Sequence, residues 1–186
     1  AGSECGSEKC VDGVCCATAC GGTCEACPAA LKGSGTDGTC GFIAPRSVGG
    51  VWFTGGDPTL RSDLAKLLLL SRKLGFRRIQ IGTNAVRLAS SAYASRLVAA
   101  GLNYARVSLH AASPAVHDRL LALPGAFDKA LLGIDHLRAR GVYVGLNFVV
   151  TSENAAELPA FFELCLGRLG VRDFDVIFLH HRGMMD

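Results

Sequence analysis

The sequence predicts an α/β protein built around a parallel sheet. From residue 50 onward, short runs rich in β-branched residues alternate with longer stretches of helical periodicity, which is the pattern of successive βα units. The short runs carry apolar residues at successive positions, as strands do when helices cover both faces of a sheet. Glycines follow the helical stretches, where a left-handed residue ends a helix. We therefore expect helices to join strands that are neighbours in the sheet.

Five strands are predicted, each as a buried segment. They are Val51–Thr54, Arg78–Thr83, Ala105–Leu109, Val142–Val150 and Phe174–Leu179. Right-handed crossovers either curl such strands into a barrel or leave them as an open, doubly wound sheet, and periodicity alone does not choose between the two. In both forms, ligand-binding and catalytic residues are expected at the carboxyl ends of the strands.

Helical segments fill the gaps between these strands. The predicted segments are Leu64–Ser71 with Ser62 as N-cap and Gly75 as the stop, Ala92–Ala100, Pro114–Leu121, Phe127–Arg140 and Pro159–Leu169. Proline is tolerated in the first turn of a helix, so Pro114 and Pro159 are compatible with helix starts.

Composition sets limits on partners and on domain organisation. The 186 residues carry 19 basic and 16 acidic side chains without a basic block, so nucleic acid is not an expected partner. No apolar stretch exceeds four residues, the length of Leu67–Leu70, which is far too short to cross a bilayer, so no membrane partner is expected. Eight of the nine cysteines fall within residues 1–40. We predict a cysteine-rich, glycine-rich irregular segment over residues 1–49 and the α/β part over residues 50–186.

The end of the first predicted strand carries the most specific motif. There, Gly55 and Gly56 allow positive φ angles and close approach of a ligand to the backbone, whose oxygens can accept from an ammonium group. The segment Val51–Leu60, VWFTGGDPTL, resembles the Gly-Gly-Glu-Pro segment that closes the second strand of radical S-adenosylmethionine (SAM) enzymes, with Asp57 in place of the usual glutamate.

The resemblance continues along the chain in the order and spacing of that family. Ile81–Ala85 is similar to the Thr-Asn-Gly at the end of the third strand, with Ala85 as a departure. Val107–Ile134 resembles the fourth strand with its long crossover, and Val142–Asn154 resembles the fifth strand. With the sixth strand, the similarity covers residues 50–181. It implies a partial parallel (β/α)6 barrel that contains strands two to six, with the first strand missing or replaced, so that the enzyme core is incomplete.

The same resemblance implies a cofactor site at the strand ends. The backbone of Gly55, Gly56, Asp57 and Pro58 would hold the methionine amino group of SAM. Asn84 would shape the end of the third strand, Ser108 would reach the methionine carboxylate or the ribose, and Asn147 would reach the ribose. His110, His180 and His181 could line a substrate pocket, but strand-end histidines are more often structural or solvated, so they are left out of the catalytic set and no catalytic residue is assigned.

Cysteines with the family's Cys-x3-Cys-x2-Cys spacing occur at Cys20, Cys24 and Cys27. The resemblance implies that three thiolates bind a 4Fe-4S cluster whose fourth iron is left open for SAM. Reductive cleavage of SAM would then give a 5′-deoxyadenosyl radical for peptide or cofactor modification. The implied partners are a small-molecule or peptide substrate and a reductant such as a flavodoxin or ferredoxin, and the implied location is cytoplasmic.

The cysteine-rich segment also supports a different interpretation. Residues 1–45 resemble the cysteine-rich modules that repeat in secreted myxobacterial proteins, and eight cysteines form an even set that fits a disulfide framework. The alternative function is then a secreted, disulfide-rich binding module fused to an inactive α/β remnant. A third interpretation, an open nucleotide-binding sheet, lacks the Gly-x-Gly-x-x-Gly helix start that it requires.

Overall fold

The computed structural model of the protein describes residues 10–11, 14–15, 25–26, 41–42 and 49–178. The chain divides into two units, residues 1–51 with 71–78 and residues 52–70 with 79–186. In the first unit, the two-residue strands β1 (Cys10–Val11) and β2 (Val14–Cys15) pair antiparallel, as do β3 (Glu25–Ala26) and β4 (Gly41–Phe42). The predicted domain boundary, between residues 49 and 50, stays a prediction.

The α/β part contains a five-stranded parallel sheet, as the alternating pattern predicts. Its strands are β5 (Gly50–Phe53), β6 (Arg78–Thr83), β7 (Tyr104–Ser108), β8 (Tyr143–Val150) and β9 (Phe174–Phe178). They neighbour each other in chain order, so that each crossover joins adjacent strands. The observed bounds lie within one residue of the predicted bounds, and Leu179 lies outside the described residues.

Helices occupy the predicted connections. They are α1 (Leu64–Lys73), α2 (Ser91–Ala99), α3 (Pro114–Leu121), α4 (Ala126–Arg138) and α5 (Leu158–Glu163). Gly75, Gly101 and Gly141 follow α1, α2 and α4 with φ angles of 86°, 117° and 76°, which is the left-handed cap that their sequence positions predict.

The last predicted helix, Pro159–Leu169, differs from the observed structure. Helix α5 ends at Glu163, and a π-helical segment covers Leu164–Arg168, so that the Leu169 N–H donates to the Leu164 carbonyl at 3.0 Å. An apolar pattern this short does not separate an α-turn from the wider π-turn, which is the reason for the difference. Within this segment Cys165 is fully buried, and burial raises the pKa of its thiol to about 12.

The apolar side chains of the strands and helices form one core in the second unit. Its largest fully buried members include Ile81, Leu97, Leu131, Ile134 and Phe148. Each such side chain contributes about 1.5 to 3 kcal/mol by leaving water. This packing holds the strands in register, so that their carboxyl ends keep fixed positions relative to each other.

A close contact between helix α4 and the end of β6 supports one of these strand ends. Ala85 follows β6 with a φ of 60°, a left-handed conformation that glycine adopts more readily than alanine. Gly133 of α4 packs against it. A Cβ atom at Gly133 would lie 2.6 Å from the Ala85 carbonyl oxygen and 3.1 Å from the Leu88 Cβ. The missing side chain therefore lets the helix approach the turn.

Gly133→Ala tests this contact. Alanine in a helix interior ordinarily stabilises a protein by up to about 1 kcal/mol relative to glycine. At Gly133 we expect the opposite, a loss of about 1 to 3 kcal/mol in the free energy of unfolding, because the methyl group meets the backbone. Urea denaturation followed by circular dichroism measures the change. Gly167→Ala is the control, since no atom lies within 4 Å of a Cβ there, and equal stability of the two variants would contradict the expectation.

Candidate functional site

A pocket of about 280 Å³ opens at the carboxyl ends of strands β5 to β8. It is lined by Trp52, Thr54, Gly55, Gly56, Asp57, Gly82, Thr83, Asn84, Arg106, Ser108 and Asn147. Its volume is near the lower end of the range for small-molecule sites. We call this the strand-end pocket.

The loop after β5 forms one wall of the strand-end pocket. Gly55 has a φ of 114°, a conformation that residues with side chains rarely adopt, and no atom of the described residues lies within 4 Å of a Cβ built on Gly55 or Gly56. The loop ends at Asp57, which caps a short 3-10 helix over Pro58–Leu60. The two glycines therefore leave their backbone open to a ligand.

Asp57 ties this loop to the end of the neighbouring strand. Its Oδ1 accepts from the Thr59 N–H at 2.9 Å, and its Oδ2 accepts from the Asn84 N–H at 3.1 Å. The hydroxyls of Thr59 and Thr83 also donate to this carboxylate, at 2.7 and 2.8 Å. Both oxygens of Asp57 are thus used inside the protein, and the side chain acts as a staple between the two strand ends.

Asn84 forms part of the turn after β6. Its Oδ1 accepts from the Val86 N–H at 3.0 Å, which closes an Asx turn. The Thr83 hydroxyl accepts from the Ala85 N–H at 3.0 Å. These two bonds hold the backbone in the left-handed turn at Ala85 and direct the Asn84 N–H to the Asp57 staple.

Ser108 and Asn147 form the opposite wall. They are paired residues in the parallel register of β7 and β8, so their side chains lie on the same face of the sheet. The Ser108 hydroxyl has no hydrogen-bond partner in the described part of the chain, and the buried Asn147 Oδ1 has none there either. A buried carbonyl oxygen without a donor costs about 1 to 3 kcal/mol, so this atom fits a ligand that donates to it.

His110 and His117 brace the strand ends behind Ser108. The His110 Nδ1 accepts from the Val149 N–H at 3.2 Å, and the His117 Nδ1 accepts from the His110 N–H at 3.2 Å. The Asn154 side chain adds a bond to the His110 carbonyl at 2.8 Å. These bonds give His110 a structural role at the strand ends.

Six of the seven predicted cofactor positions line the strand-end pocket, namely Gly55, Gly56, Asp57, Asn84, Ser108 and Asn147. Pro58 does not line it. It is buried in the 3-10 helix and lines a neighbouring open groove of about 520 Å³ instead. The predicted metal ligands Cys20, Cys24 and Cys27 lie outside the described residues, as do His180 and His181.

Sequence reasoning missed several lining residues, of which Arg106 and Trp52 are the largest. Arg106 is a charged residue inside an otherwise apolar strand, and its two-residue spacing from Ser108 placed it on the same face. A charged residue in this position could therefore have been recognised in the sequence as part of the pocket. Trp52 gave a weaker signal, because an aromatic residue is ordinary in a strand.

No group of side chains able to hold a metal ion occurs within residues 49–178 and the four short strands. In the same part of the chain, no helix has both the length and the apolar character needed to cross a membrane.

Comparison with known sequences identifies one family. The sequence profile of the radical SAM superfamily matches residues 41–165, a range that begins after the Cys20–Cys27 motif. The Fe-coproporphyrin III synthase of Methanosarcina barkeri is 37% identical over 114 residues, which are 61% of this chain and 28% of that protein. A protein named "Probable GTP 3′,8-cyclase" from Saccharolobus islandicus is 38% identical over 138 residues, which are 74% of this chain and 44% of that protein.

Solved structures share the fold of this chain. SuiB of Streptococcus suis bound to S-adenosylmethionine matches with a TM-score of 0.59 at 20% identity, covering 74% of this chain and 31% of SuiB. SuiB bound to its precursor peptide SuiA matches with the same TM-score over 70% of this chain and 29% of SuiB. The predicted class, a partial parallel (β/α)6 barrel of this family's type, is confirmed. The predicted resemblance of residues 1–45 to a secreted module is not supported by these comparisons.

The buried position of His117 predicts that the stability of the protein depends on pH. Burial, with a smaller effect of the neighbouring His110, lowers the pKa of His117 to about 4. In the unfolded chain a histidine takes up its proton near pH 6.5, so between about pH 6.5 and pH 4 the unfolded state binds more protons. The free energy of unfolding should therefore fall by roughly 1 to 3 kcal/mol as the pH drops through this range.

His117→Asn isolates the histidine's contribution, because the asparagine Oδ1 offers an acceptor to the His110 N–H without titrating. Urea denaturation at pH 7 and pH 5 measures the change in both proteins. We expect a smaller loss of stability in the variant. An identical loss in the two proteins would assign the pH dependence to other groups.

Proposed function

The chain belongs to the radical S-adenosylmethionine superfamily, and we propose that it forms the SAM-binding core of an enzyme that modifies a peptide or builds a cofactor. The chain spans less than half the length of the curated relatives it matches. The observation that supports the proposal is the strand-end pocket, whose eleven lining residues include six of the positions that the family resemblance implies.

The pocket's polar groups fit the parts of SAM. The open backbone at Gly55 and Gly56 offers carbonyl oxygens to the methionine ammonium group. The Ser108 hydroxyl, which has no protein partner in the described region, suits the methionine carboxylate or the ribose. Among the described residues the buried Asn147 Oδ1 has no donor, and a ribose hydroxyl would supply one.

The residues of this chain bind and orient, while the cofactor provides the reactive chemistry. When bound beside a reduced 4Fe-4S cluster, SAM supplies a 5′-deoxyadenosyl radical that abstracts hydrogen from a substrate. Cys20, Cys24 and Cys27 are the proposed cluster ligands. The Asp57 staple holds the Gly55–Gly56 loop in position, and the packed strands exclude water from the base of the pocket.

The substrate class is proposed from the names of relatives. Two relatives of more than 30% identity are named for tetrapyrrole and nucleotide chemistry, and the SuiB structures include one with a precursor peptide. We infer a small-molecule precursor or a peptide as substrate, and a flavodoxin or ferredoxin as reductant. A cluster needs reduced thiolates, so this proposal is compatible with a cytoplasmic location.

Asp57→Asn tests the staple's role in binding SAM. Both oxygens of Asp57 accept from a backbone N–H, and an asparagine amide offers only one acceptor for these two donors. One buried N–H then loses its partner, and the Gly55–Gly56 loop loses its fixed position. We expect SAM affinity to fall about tenfold or more, measured by equilibrium dialysis with labelled SAM on the reconstituted protein.

Two further variants complete this test. Asp63→Asn makes the same chemical change in an exposed ion pair with Arg61, and its SAM affinity should stay within about twofold of the parent. Asp57→Glu keeps the carboxylate and should retain more affinity than Asp57→Asn. Unchanged binding by Asp57→Asn would show that the staple does not shape the SAM site.

Iron content tests the cluster ligands. Anaerobic reconstitution should give about four irons per chain, and Cys24→Ala should abolish the cluster. Cys165→Ala is the control and should keep its iron, because Cys165 is buried in the core. Chromatographic detection of 5′-deoxyadenosine after reduction tests the reaction itself.

Thiol counting separates this proposal from the secreted alternative. Free, alkylatable cysteines within residues 1–40 favour the enzyme. If these eight cysteines resist alkylation until they are reduced, and iron is not incorporated, the disulfide-rich binding module is the better interpretation.

A further inference from the structure

Arg106 is a charged residue in the middle of the sheet that the proposed SAM contacts do not use. It lies on β7, two residues before Ser108, and therefore on the same face and about 6 to 7 Å deeper along the strand. Its side chain is 16% exposed and lines the strand-end pocket. A buried charge is costly unless it is paired or binds a ligand, so its partners indicate its role.

One edge of the Arg106 guanidinium is occupied by the protein. Nη1 donates to the Asp173 Oδ1 at 2.9 Å, and Nη2 donates to the Tyr104 hydroxyl at 3.1 Å. The Tyr104 hydroxyl in turn donates to Asp173. Although burial acts in the opposite direction, hydrogen bonds from Tyr104 and Arg106 lower the pKa of Asp173. The guanidinium is therefore held in a defined orientation by an ionised partner.

Glycines on both neighbouring strands clear the space around this side chain. In the parallel register, Arg106 pairs with Gly82 of β6 and with Gly145 of β8. A Cβ at Gly145 would lie 2.8 Å from the Arg106 Cζ, and one at Gly82 would lie 3.2 Å from the Trp52 Nε1. Glycine has no side chain, so the two glycines beside Arg106 leave space for other groups. Gly145 leaves space for the Arg106 guanidinium, and Gly82 leaves space for the Trp52 indole.

The other edge of the guanidinium has no partner in the described part of the chain. Arginine has five N–H groups, and neither Nε nor the second hydrogen of Nη2 donates to a described residue. Nε and Nη2 form the fork that binds carboxylates and phosphates with two parallel hydrogen bonds. The Trp52 ring, 56% exposed, adds an apolar surface to the same pocket.

We propose that the Nε and Nη2 groups of Arg106 bind an oxyanion of the substrate, a carboxylate or a phosphate, at a position deeper in the strand-end pocket than Ser108 and Asn147. This proposal rests on the proposed function, in which SAM occupies the outer part of the pocket. The oxyanion anchors the substrate below the SAM site and against the Trp52 ring.

Asp175 modulates this site. Its Oδ2 lies 3.5 Å from the Arg106 Nη1, and its side chain is 56% exposed. It pairs with Asn147 in the register of β8 and β9, so it lies on the pocket side of the sheet. Its negative charge opposes an incoming oxyanion, whereas the charge of Asp173 is engaged by several donors. Removal of the Asp175 charge should therefore strengthen oxyanion binding.

The fluorescence of Trp52 provides a local readout, because it is the single tryptophan of the chain and lines the pocket. Inorganic phosphate and succinate serve as probes and are titrated into the protein, the Arg106→Gln variant and the Asp175→Asn variant. We expect a saturable change in the parent, binding about tenfold or more weaker in Arg106→Gln, and tighter binding in Asp175→Asn. A response to only one probe identifies the oxyanion class.

SAM titration of the same proteins separates this proposal from the proposed function. Because Arg106 lines the same pocket, Arg106→Gln can weaken SAM binding, but we expect its loss of SAM affinity to be clearly smaller than its loss of probe affinity. An equal loss of SAM and of probe affinity would assign Arg106 to SAM and overturn the separate oxyanion position. Absence of probe binding in the parent, or equal probe binding in Arg106→Gln, would overturn it as well. If SAM does not bind the parent but probe binding still depends on Arg106, the result counts against the proposed function and not against the oxyanion position. Asp175→Asn keeps the test decisive if Arg106→Gln does not fold.

Discussion

The geometry of the site depends on the carboxylate of Asp57. The loop that begins at Gly55 has two residues without side chains, so it has little packing of its own to hold it. Asp57 compensates, because its two oxygens accept hydrogen bonds from its own loop and from Thr83 and Asn84 at the end of the next strand. One side chain thereby fixes an open backbone segment against a rigid strand. A loop that must expose its backbone to a ligand needs such an external anchor, since exposed backbone groups cannot stabilise one another.

The parallel register of the strands fixes the positions of the other pocket residues across the sheet. Paired residues on neighbouring parallel strands point to the same face, so Ser108 and Asn147 lie side by side, and Arg106 lies in the row below with a glycine on each side. The strands are held by a dry apolar core, which keeps the rows aligned. Polar groups with unsatisfied hydrogen-bonding capacity therefore gather on one pocket wall. The sheet serves as a rigid frame on which a few polar side chains carry the binding chemistry.

Local sequence patterns anticipated most of the architecture. Strand bounds agreed within one residue because alternating and helical periodicities are set by neighbouring residues, and glycine marked three helix ends because few other residues adopt its left-handed conformation. The polar residues at the strand ends could also be predicted, because every parallel strand brings its carboxyl end to a common edge of the sheet. The π-helical segment at Leu164–Arg168 was missed, because a short apolar pattern fits both kinds of turn.

By itself, the sequence determined the order of strands and helices, the glycine-rich loop and the family to which the chain is similar. It did so because these features depend on residue types at short spacings. The tertiary structure alone decided where the side chains find their partners. Asp57 turns toward Thr83, 26 positions along the chain, and Arg106 meets Asp173, 67 positions along. It also left the Asn147 Oδ1 without a donor from any residue that the structure describes. Such pairings depend on the register of strands that are distant in sequence, and no local pattern encodes that register.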